Sequence, residues 1–521
     1  MLTSIRVRNF RSFSNSEHNS FVDIKPLTIL LGKNSSGKSS FLRTFPLLRQ
    51  SVERETKGPI LWFGSYVDFG AFSVVKNNDV DDENIHFDFV FELSLEEYYK
   101  YNPYLLKSMD FYDDKLKVEV RVSVSEDNKV TVAKGVKIKI FDDEFDFNFG
   151  KNDKGTLYFK GEEIPFNYMI RKSFIPSIGM FIERKLTIHG EERVIRRFND
   201  DYLQETLMAK NIKLIEKYFH YNTSREKIYS GLDLIGLCNK DMLEPLLYSA
   251  YSDNKVFIRN LGQNHNDVSE DFYKVIVRTQ IGNIINMVNQ ELESVFRGVR
   301  YIAPLRATAE RYYRHQDLQV NEIDHTGSNL AMLLRSLPER EKKAFSIWTE
   351  SNFGFSIRVE ELGLHYALKI KNQHDNHEYN INDMGFGFSQ ILPIVATIWF
   401  ETKSRKANNS IFRRKQMILT IEQPELHLHP EYQARLSRLF AKVVDINNKS
   451  KTNISIIFET HSKTMINALG DAIEDGEIES KDVNIVIFDK GEDKKFTNIT
   501  FSNFSKEGDL INWPIGFFSG R

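Results

Sequence analysis

Three shortages narrow the field before any motif is read. The 521 residues include one cysteine, Cys238. No internal disulfide can form, and a cysteine-rich metal site is excluded. A solitary cysteine of this kind reads as a small buried apolar residue. An excess of one charge is lacking too: 70 Lys and Arg stand against 72 Asp and Glu, a formal net charge of -2. A global basic field for nucleic acid is therefore absent, and only a local basic groove stays open as a DNA contact. Long hydrophobic runs are missing as well. No window approaches the ~18 uncharged apolar residues of a membrane span. The opening MLTSIRVRNFRSF carries charges throughout and has no apolar stretch of signal length. The expectation is a soluble, cytoplasmic protein with no membrane partner. What the chain does have is 41% hydrophobic content, with no tandem repeat or low-complexity linker. That is enough for a large core and more than one lobe.

Patterning divides the chain. Residues 1–31 read as strands, IRVRNF and LTILL, followed by a Gly/Ser loop and a helical segment, SSFLRTFPLLRQ. From about 85 to 165 the apolar residues alternate, as in HFDFVFEL, KLKVEVRVSV and VTVAKGVKIKIF. Period two with one wet face predicts antiparallel strands. From about 200 to 298 apolar residues recur three and four apart, which predicts helices. Beyond YIAPLR, strand and helix alternate through MILTIEQP, PEYQARLSRLFAKVVD, NISIIFETHS, SKTMINALGDAI and VNIVIFDKG. That alternation implies a parallel core. The expected fold class is α/β, a mixed sheet core with helices, plus an antiparallel β lobe and a helical insertion. The expected division is 1–165, with the glycine loop and the β lobe; 166–300, mainly helical; and 301–521, the rest of the core.

Between an apolar strand and a helix stands Gly32-Lys33-Asn34-Ser35-Ser36-Gly37-Lys38-Ser39, followed by Ser40. It fits G-x-x-x-x-G-K-[ST] in the context that motif needs. Gly32 and Gly37 let the backbone wrap so that its N–H groups point at phosphate oxygens. Lys38 supplies a cation to the β- and γ-phosphates, and Ser39 offers a hydroxyl to Mg²⁺. Such a loop needs an acidic residue at the end of a neighbouring buried strand. MILTIEQPE provides Glu422, which makes Ser39 and Glu422 the expected metal pair. Upstream, Asp383-Met384-Gly385-Phe386-Gly387-Phe388-Ser389-Gln390 opens a helix with two glycines, a second phosphate-binding surface. His427 and His429 beside Glu425 invite a zinc reading. It is discounted, because no third and fourth ligand are evident by spacing.

The order of these motifs, with a long insertion between Lys38 and Glu422, resembles the SMC-like and RecF-like branch of the ABC ATPases. The resemblance is carried by NFRSF, YVDFGAF, YIAPLR, MGFGFSQILP, IEQPELHLHP and ETHS, at both ends of the chain. The ending INWPIGFF resembles a tail found in a group of bacterial ATPases that includes the PtuA ATPases of Septu anti-phage systems and of retrons that carry them. This implies an ABC-type P-loop ATPase head using ATP and Mg²⁺. The stretch Asp383 to Gln390 would then be a signature motif, with Asp383, Gly385, Phe386, Gly387 and Gln390 at the nucleotide of a partner head. Arg11 of NFRSF would join the nucleotide contacts. The stretch after Glu422 would be the D-loop, and His461 the switch histidine. Where the family carries Glu after its Walker B acid, this chain has Gln423, an amide that can orient a water but cannot take its proton. Glu422 and Glu425 are left as candidate catalytic carboxylates, and hydrolysis is expected to be slow. Implied partners are a second head in a homodimer or higher oligomer and an HNH nuclease similar to PtuB. In a retron they would include a reverse transcriptase with its multicopy single-stranded DNA. The implied role is an ATP-gated sensor and scaffold that restrains a separate nuclease. The alternative is a RecF-like repair or chromosome-maintenance ATPase that binds DNA directly. Overcoming-lysogenization-defect nucleases share a similar head but add a Toprim domain, and none is expected in the residues after His461. Trp513, Ile515, Phe517 and Phe518 are expected to dock on the head's own core.

Overall fold

The computed structural model describes the chain except residues 18, 55, 57, 95–114, 171–173, 189–190, 239, 317–319, 321, 374, 408–415, 451, 491–494 and 515–521. It falls into two compact units. The larger comprises Ser4–Arg54, Ile60–Ile85 and Ser294–Arg521. Its centre is a sheet in the order Val299–Ile302, Met417–Glu422, Ile454–Glu459, Leu27–Gly32, Val483–Lys490, Thr497–Phe504, Leu510–Ile511. The first five strands run parallel. The last two pair antiparallel. LTILLG, MILTIE and ISIIFE are buried at every position. They form unbroken apolar runs because a parallel sheet is covered on both faces. The crossover from Met417–Glu422 to Ile454–Glu459 is the helix Pro430–Ser450, which buries Leu436, Leu439, Phe440, Val443 and Val444. Two strands, Phe355–Leu362 and His365–Asn372, form the body of a small separate antiparallel sheet.

The other unit comprises Met1–Thr3, Glu55–Pro59 and His86–Glu293. Successive antiparallel hairpins run from Lys115–Asp127 to Glu191–Asn199. Lys115–Asp127 alternates buried and open positions as period two requires. Helices follow from Tyr202–Asn211 through His265–Thr279. Within this unit Arg278 meets Asp143 at 2.9 Å, both buried. Cys238 is buried, as a lone small apolar residue should be.

The structure departs from the expected start of the helical segment at 166. Strands Ser177–Ile188 and Glu191–Asn199 occupy its first part. The physical reason is local: SIGMFIERKLTI alternates apolar and polar residues, and EERVIRRFN pairs antiparallel with it, so the two extend the hairpin series. The α/β class itself is as expected. Trp513 packs on the core of the larger unit, while Ile515, Phe517 and Phe518 lie outside the described residues. Among the described residues no helix is long and apolar enough to cross a membrane.

Candidate nucleotide site

The glycine loop joins the buried strand Leu27–Gly32 to the helical turn beginning at Lys38. Gly32 has φ 147 and Gly37 has φ 106. A Cβ on Gly32 would lie 2.1 Å from the backbone oxygen of Phe488, and one on Gly37 would lie 2.7 Å from Thr497 Oγ1. Both positions therefore need glycine, by conformation and by space. Lys33, Asn34 and Ser35 are exposed at the loop's tip. Lys38 is buried, and its ammonium donates to the carbonyls of Gly32 (2.8 Å) and Lys33 (2.7 Å). Burial lowers its pKa, while Glu459 and Glu425 oppose that. The loop opens on a cleft of about 620 Å³ lined by Arg11, Lys38, Ser39, Ser40, Lys76 and Lys495, among others. Arg11 holds φ 53, with its amide on the Val75 carbonyl at 2.6 Å and its guanidinium 5.5 Å from the Phe69 ring centre. Gly32→Ala is expected to shift the loop against the Phe488 backbone and to weaken nucleotide binding ~10-fold or more, since such strained backbone positions cost about 1–3 kcal/mol. Calorimetric titration with ATP reads this directly.

Two carboxylates stand near Ser39. Two neighbouring strands each end in glutamate, with Glu422 opposite Glu459 in register. The Ile454–Glu459 strand lies directly beside the phosphate-loop strand, and Met417–Glu422 lies one place further out. Ser39 Oγ accordingly donates to Glu459 Oε1 at 3.0 Å, not to Glu422. Glu422 is committed elsewhere. Arg43 grips both its oxygens at 2.7 Å, and the Tyr301 hydroxyl donates to Oε1 at 2.6 Å. Bidentate charge-assisted bonds of this kind are among the strongest a carboxylate makes. They raise the Arg43 pKa. Burial, then the negative Glu422, pushes Glu459 up to about 7.

Glu425 and His461 meet through the backbone: the His461 amide donates to Glu425 Oε1 at 2.8 Å. Burial raises the Glu425 pKa. Partial desolvation, helped by the Lys38 charge, lowers that of His461. Gln423 has φ 42. Arg306 is buried, donates to the Glu422 carbonyl at 2.8 Å and is pulled down to about 10 by burial.

The stretch Asp383 to Gln390 does not line the cleft. Asp383 pairs with Arg311 at 2.5 Å. Phe386, partly exposed, meets the His427 ring edge-on at 4.9 Å. Gly385 has φ 85 with open space around it. Gln390 is fully buried and donates to the Arg306 carbonyl at 3.3 Å. His427 and His429 belong to no group of three or more ligand-type residues among the described residues.

Arg43, Tyr301, Arg306 and Glu459 join the site only through the fold. Tyr301 and Arg306 sit in YIAPLR, and Glu459 closes an apolar strand just as Glu422 does. That repeated strand ending was the available signal.

The cradle fits a polyphosphate and its cation. Glycines stand where no Cβ is tolerated, and a buried lysine reaches only loop carbonyls. The buried Ser36 Oγ and Glu459 Oε2 have no hydrogen-bond partner among the described residues. The AAA ATPase domain family model matches residues 1–466. This chain belongs to that family. The ATPase domain thus covers both the glycine loop and the strands that end in Glu422 and Glu459. One relative is Endonuclease GajA of Bacillus cereus (strain HuB5-5), 26% identical over 172 residues. That match covers 30% of this chain, which spans about a quarter of the relative's length. Similar solved structures include the SmcHead bound to the C-winged helix domain of ScpA, at 10% identity over 97% of this chain and 98% of the other, TM-score 0.35. The SMC head domain from Thermotoga maritima has 10% identity over 96% and 98%, TM-score 0.35.

Proposed function

We propose that this AAA ATPase binds Mg²⁺-ATP at the glycine loop as an ABC-type, SMC-like head, and that two heads close on the nucleotide. In this reading the head is a sensor and scaffold that controls a separate effector nuclease in anti-phage defence. The observation that carries nucleotide binding is the cleft beneath Gly32 to Ser40 with Lys38 buried at its floor. On nucleotide binding Lys38 exchanges two loop carbonyls for phosphate oxygens, and the loop's N–H groups gather the same charge. Ser39 holds the Mg²⁺, which neutralises phosphate charge when bound. Arg11 adds a cation at the mouth of the cleft. Gln423 and His461 orient water and sense the γ-phosphate.

Pairing is supported by the stretch Asp383 to Gln390. Gly385 precedes and Gly387 lies in the first turn of the helix Phe386–Ala407, and that stretch is absent from the cleft lining of its own head. A helix start of this kind suits phosphate supplied by another copy. A non-hydrolysable ATP analogue with Mg²⁺ is expected to convert the chain from monomer to dimer or higher oligomer in light scattering, and Gly387→Trp to prevent it. Oligomerisation indifferent to nucleotide would remove this part of the reading.

The nuclease link is supported by the endonuclease named among the relatives, and the HNH, PtuB-like partner by the resemblance of the sequence motifs. Co-purification with an HNH nuclease expressed from a neighbouring gene is the expected result. In a retron, the reverse transcriptase and its multicopy single-stranded DNA would join that complex. DNA cleavage by this chain alone would overturn the separation of head and nuclease. ATP-dependent retention of duplex DNA without any nuclease partner would favour the RecF-like repair reading.

A further inference from the structure

We infer that Arg306 is a positioning residue for ATP hydrolysis: its buried guanidinium fixes the backbone turn that carries Gln423. The inference rests on the proposed ATP site and on the water-orienting place given there to Gln423. The first support is geometry. Arg306 is 4% exposed, and its Nη2 donates to the carbonyls of Glu422 at 2.8 Å and Gln423 at 3.3 Å. Gln423 stands at φ 42, a left-handed conformation that is costly for a residue with a side chain. Such a conformation persists only where the surroundings over-determine it. Here the Gln423 amide donates to the Glu459 carbonyl at 3.1 Å, and the Gln423 carbonyl accepts from the Leu426 amide at 3.2 Å as well as from Arg306. Arg306 supplies the side-chain contact among these holds.

The second support is that Arg306 is an expensive way to fill its place. Its Nε and Nη1 are enclosed and have no hydrogen-bond partner among the described residues. Burial pulls its pKa down to about 10, against the attraction of Glu425 and Glu422. A buried cation with unspent donors adds little to a core that an apolar side chain of similar length could fill. Enclosed donors of this kind need an explanation, and a task in setting the Gln423 turn supplies one. The third support is the anchorage of Arg306 itself. Its carbonyl accepts from Gln390 Nε2 at 3.3 Å. The next amide, Ala307, donates to the Thr326 carbonyl at 2.8 Å. Ala309 donates to Ser389 Oγ at 3.1 Å and accepts from Asn382 Nδ2 at 2.9 Å. The segment is thus tied on both sides, and the guanidinium acts from a fixed base, as a supporting group must.

The test measures single-turnover hydrolysis at saturating Mg²⁺-ATP, ATP affinity by calorimetry, and a melting curve, all on the full chain. Arg306→Met is expected to slow hydrolysis by ~10–100-fold, the cost of a misplaced reacting group, with ATP affinity unchanged. Gln423→Ala is expected to slow it to a similar degree. The double variant should be no slower than the slower single one, because both changes remove the same hold; losses from two separate structural defects would add. Arg306→Lys keeps the buried cation but not the planar fork, and is expected to fall between wild type and methionine. It also carries the test if Arg306→Met does not fold. Wild-type rates in Arg306→Met, or in Arg306→Lys where methionine does not fold, would overturn the inference. So would losses that add in the double variant, or rate, affinity and melting temperature falling together in every Arg306 variant. A wild-type chain that binds ATP without hydrolysing it would overturn the inference and leave the ATP site standing. Failure of the wild-type chain to bind ATP at all would overturn both.

Discussion

Replacing Lys38 with alanine is expected to weaken ATP binding by at least ~100-fold, while the chain still folds. The magnitude follows from chemistry. A hydrogen bond to a charged group contributes about 1.5–3 kcal/mol, and each 1.4 kcal/mol is about tenfold in affinity. Lys38 can make more than one such bond to the β- and γ-phosphates. Folding should survive because the ammonium's present partners are only the Gly32 and Lys33 carbonyls of its own loop. Burial also lowers the Lys38 pKa, so the cation's place in the chain without nucleotide is not a favourable one. Lys38→Arg keeps the charge but not the compact reach, and should fall between wild type and alanine. Calorimetry measures the affinity, and a melting curve checks the fold. Unchanged ATP affinity in Lys38→Ala would remove the glycine loop as the nucleotide site.

The features that were legible in the sequence are those written in local patterns. The loop Gly32 to Ser39, the all-buried strands LTILLG, MILTIE and ISIIFE, and the alternation of KLKVEVRVSV each declare themselves within ten or so residues. The alternation of SIGMFIERKLTI is as plain, and it places strands at the start of the mainly helical stretch. What local pattern cannot carry is the lateral order of strands. MILTIE and ISIIFE both end in glutamate after an apolar run. Only the sheet order, with Ile454–Glu459 beside Leu27–Gly32, decides which carboxylate reaches Ser39. The same holds for Tyr301 and Arg43. Their meeting at Glu422 joins three elements far apart in the chain, and no spacing rule predicts it. The stretch Asp383 to Gln390 is a further case. Its glycines are visible in sequence, but whether they meet a phosphate depends on a second copy.

Slow hydrolysis is the other large effect expected, and Gln423→Glu is the substitution that should relieve it. A general base contributes roughly a hundredfold or more to a hydrolytic step. Each of the three glutamates near the loop already accepts a hydrogen bond on at least one oxygen. Glu422 is neutralised by Arg43 and held by Tyr301. Glu459 engages Ser39. Glu425 accepts from the His461 amide, and its other oxygen is enclosed. Gln423 follows Glu422 directly, is half-buried rather than enclosed, and carries an amide that cannot take a proton. Its backbone is already at φ 42, a conformation that costs Gln and Glu alike. The swap therefore adds a carboxylate without new backbone strain, and partial exposure spares it the full cost of burial. In single-turnover experiments the wild-type chain is expected to hydrolyse ATP far below the ~10 per second typical of enzymes. Gln423→Glu is expected to raise the rate by ~100-fold. A head that holds ATP and turns it over slowly behaves as a clamp, which suits a scaffold that restrains an effector until the nucleotide is lost. Wild-type turnover near ~10 per second would show that one of the committed carboxylates is released in the closed state. A Gln423→Glu variant no faster than wild type would show that a step other than proton removal limits the rate, and the clamp would then need another cause.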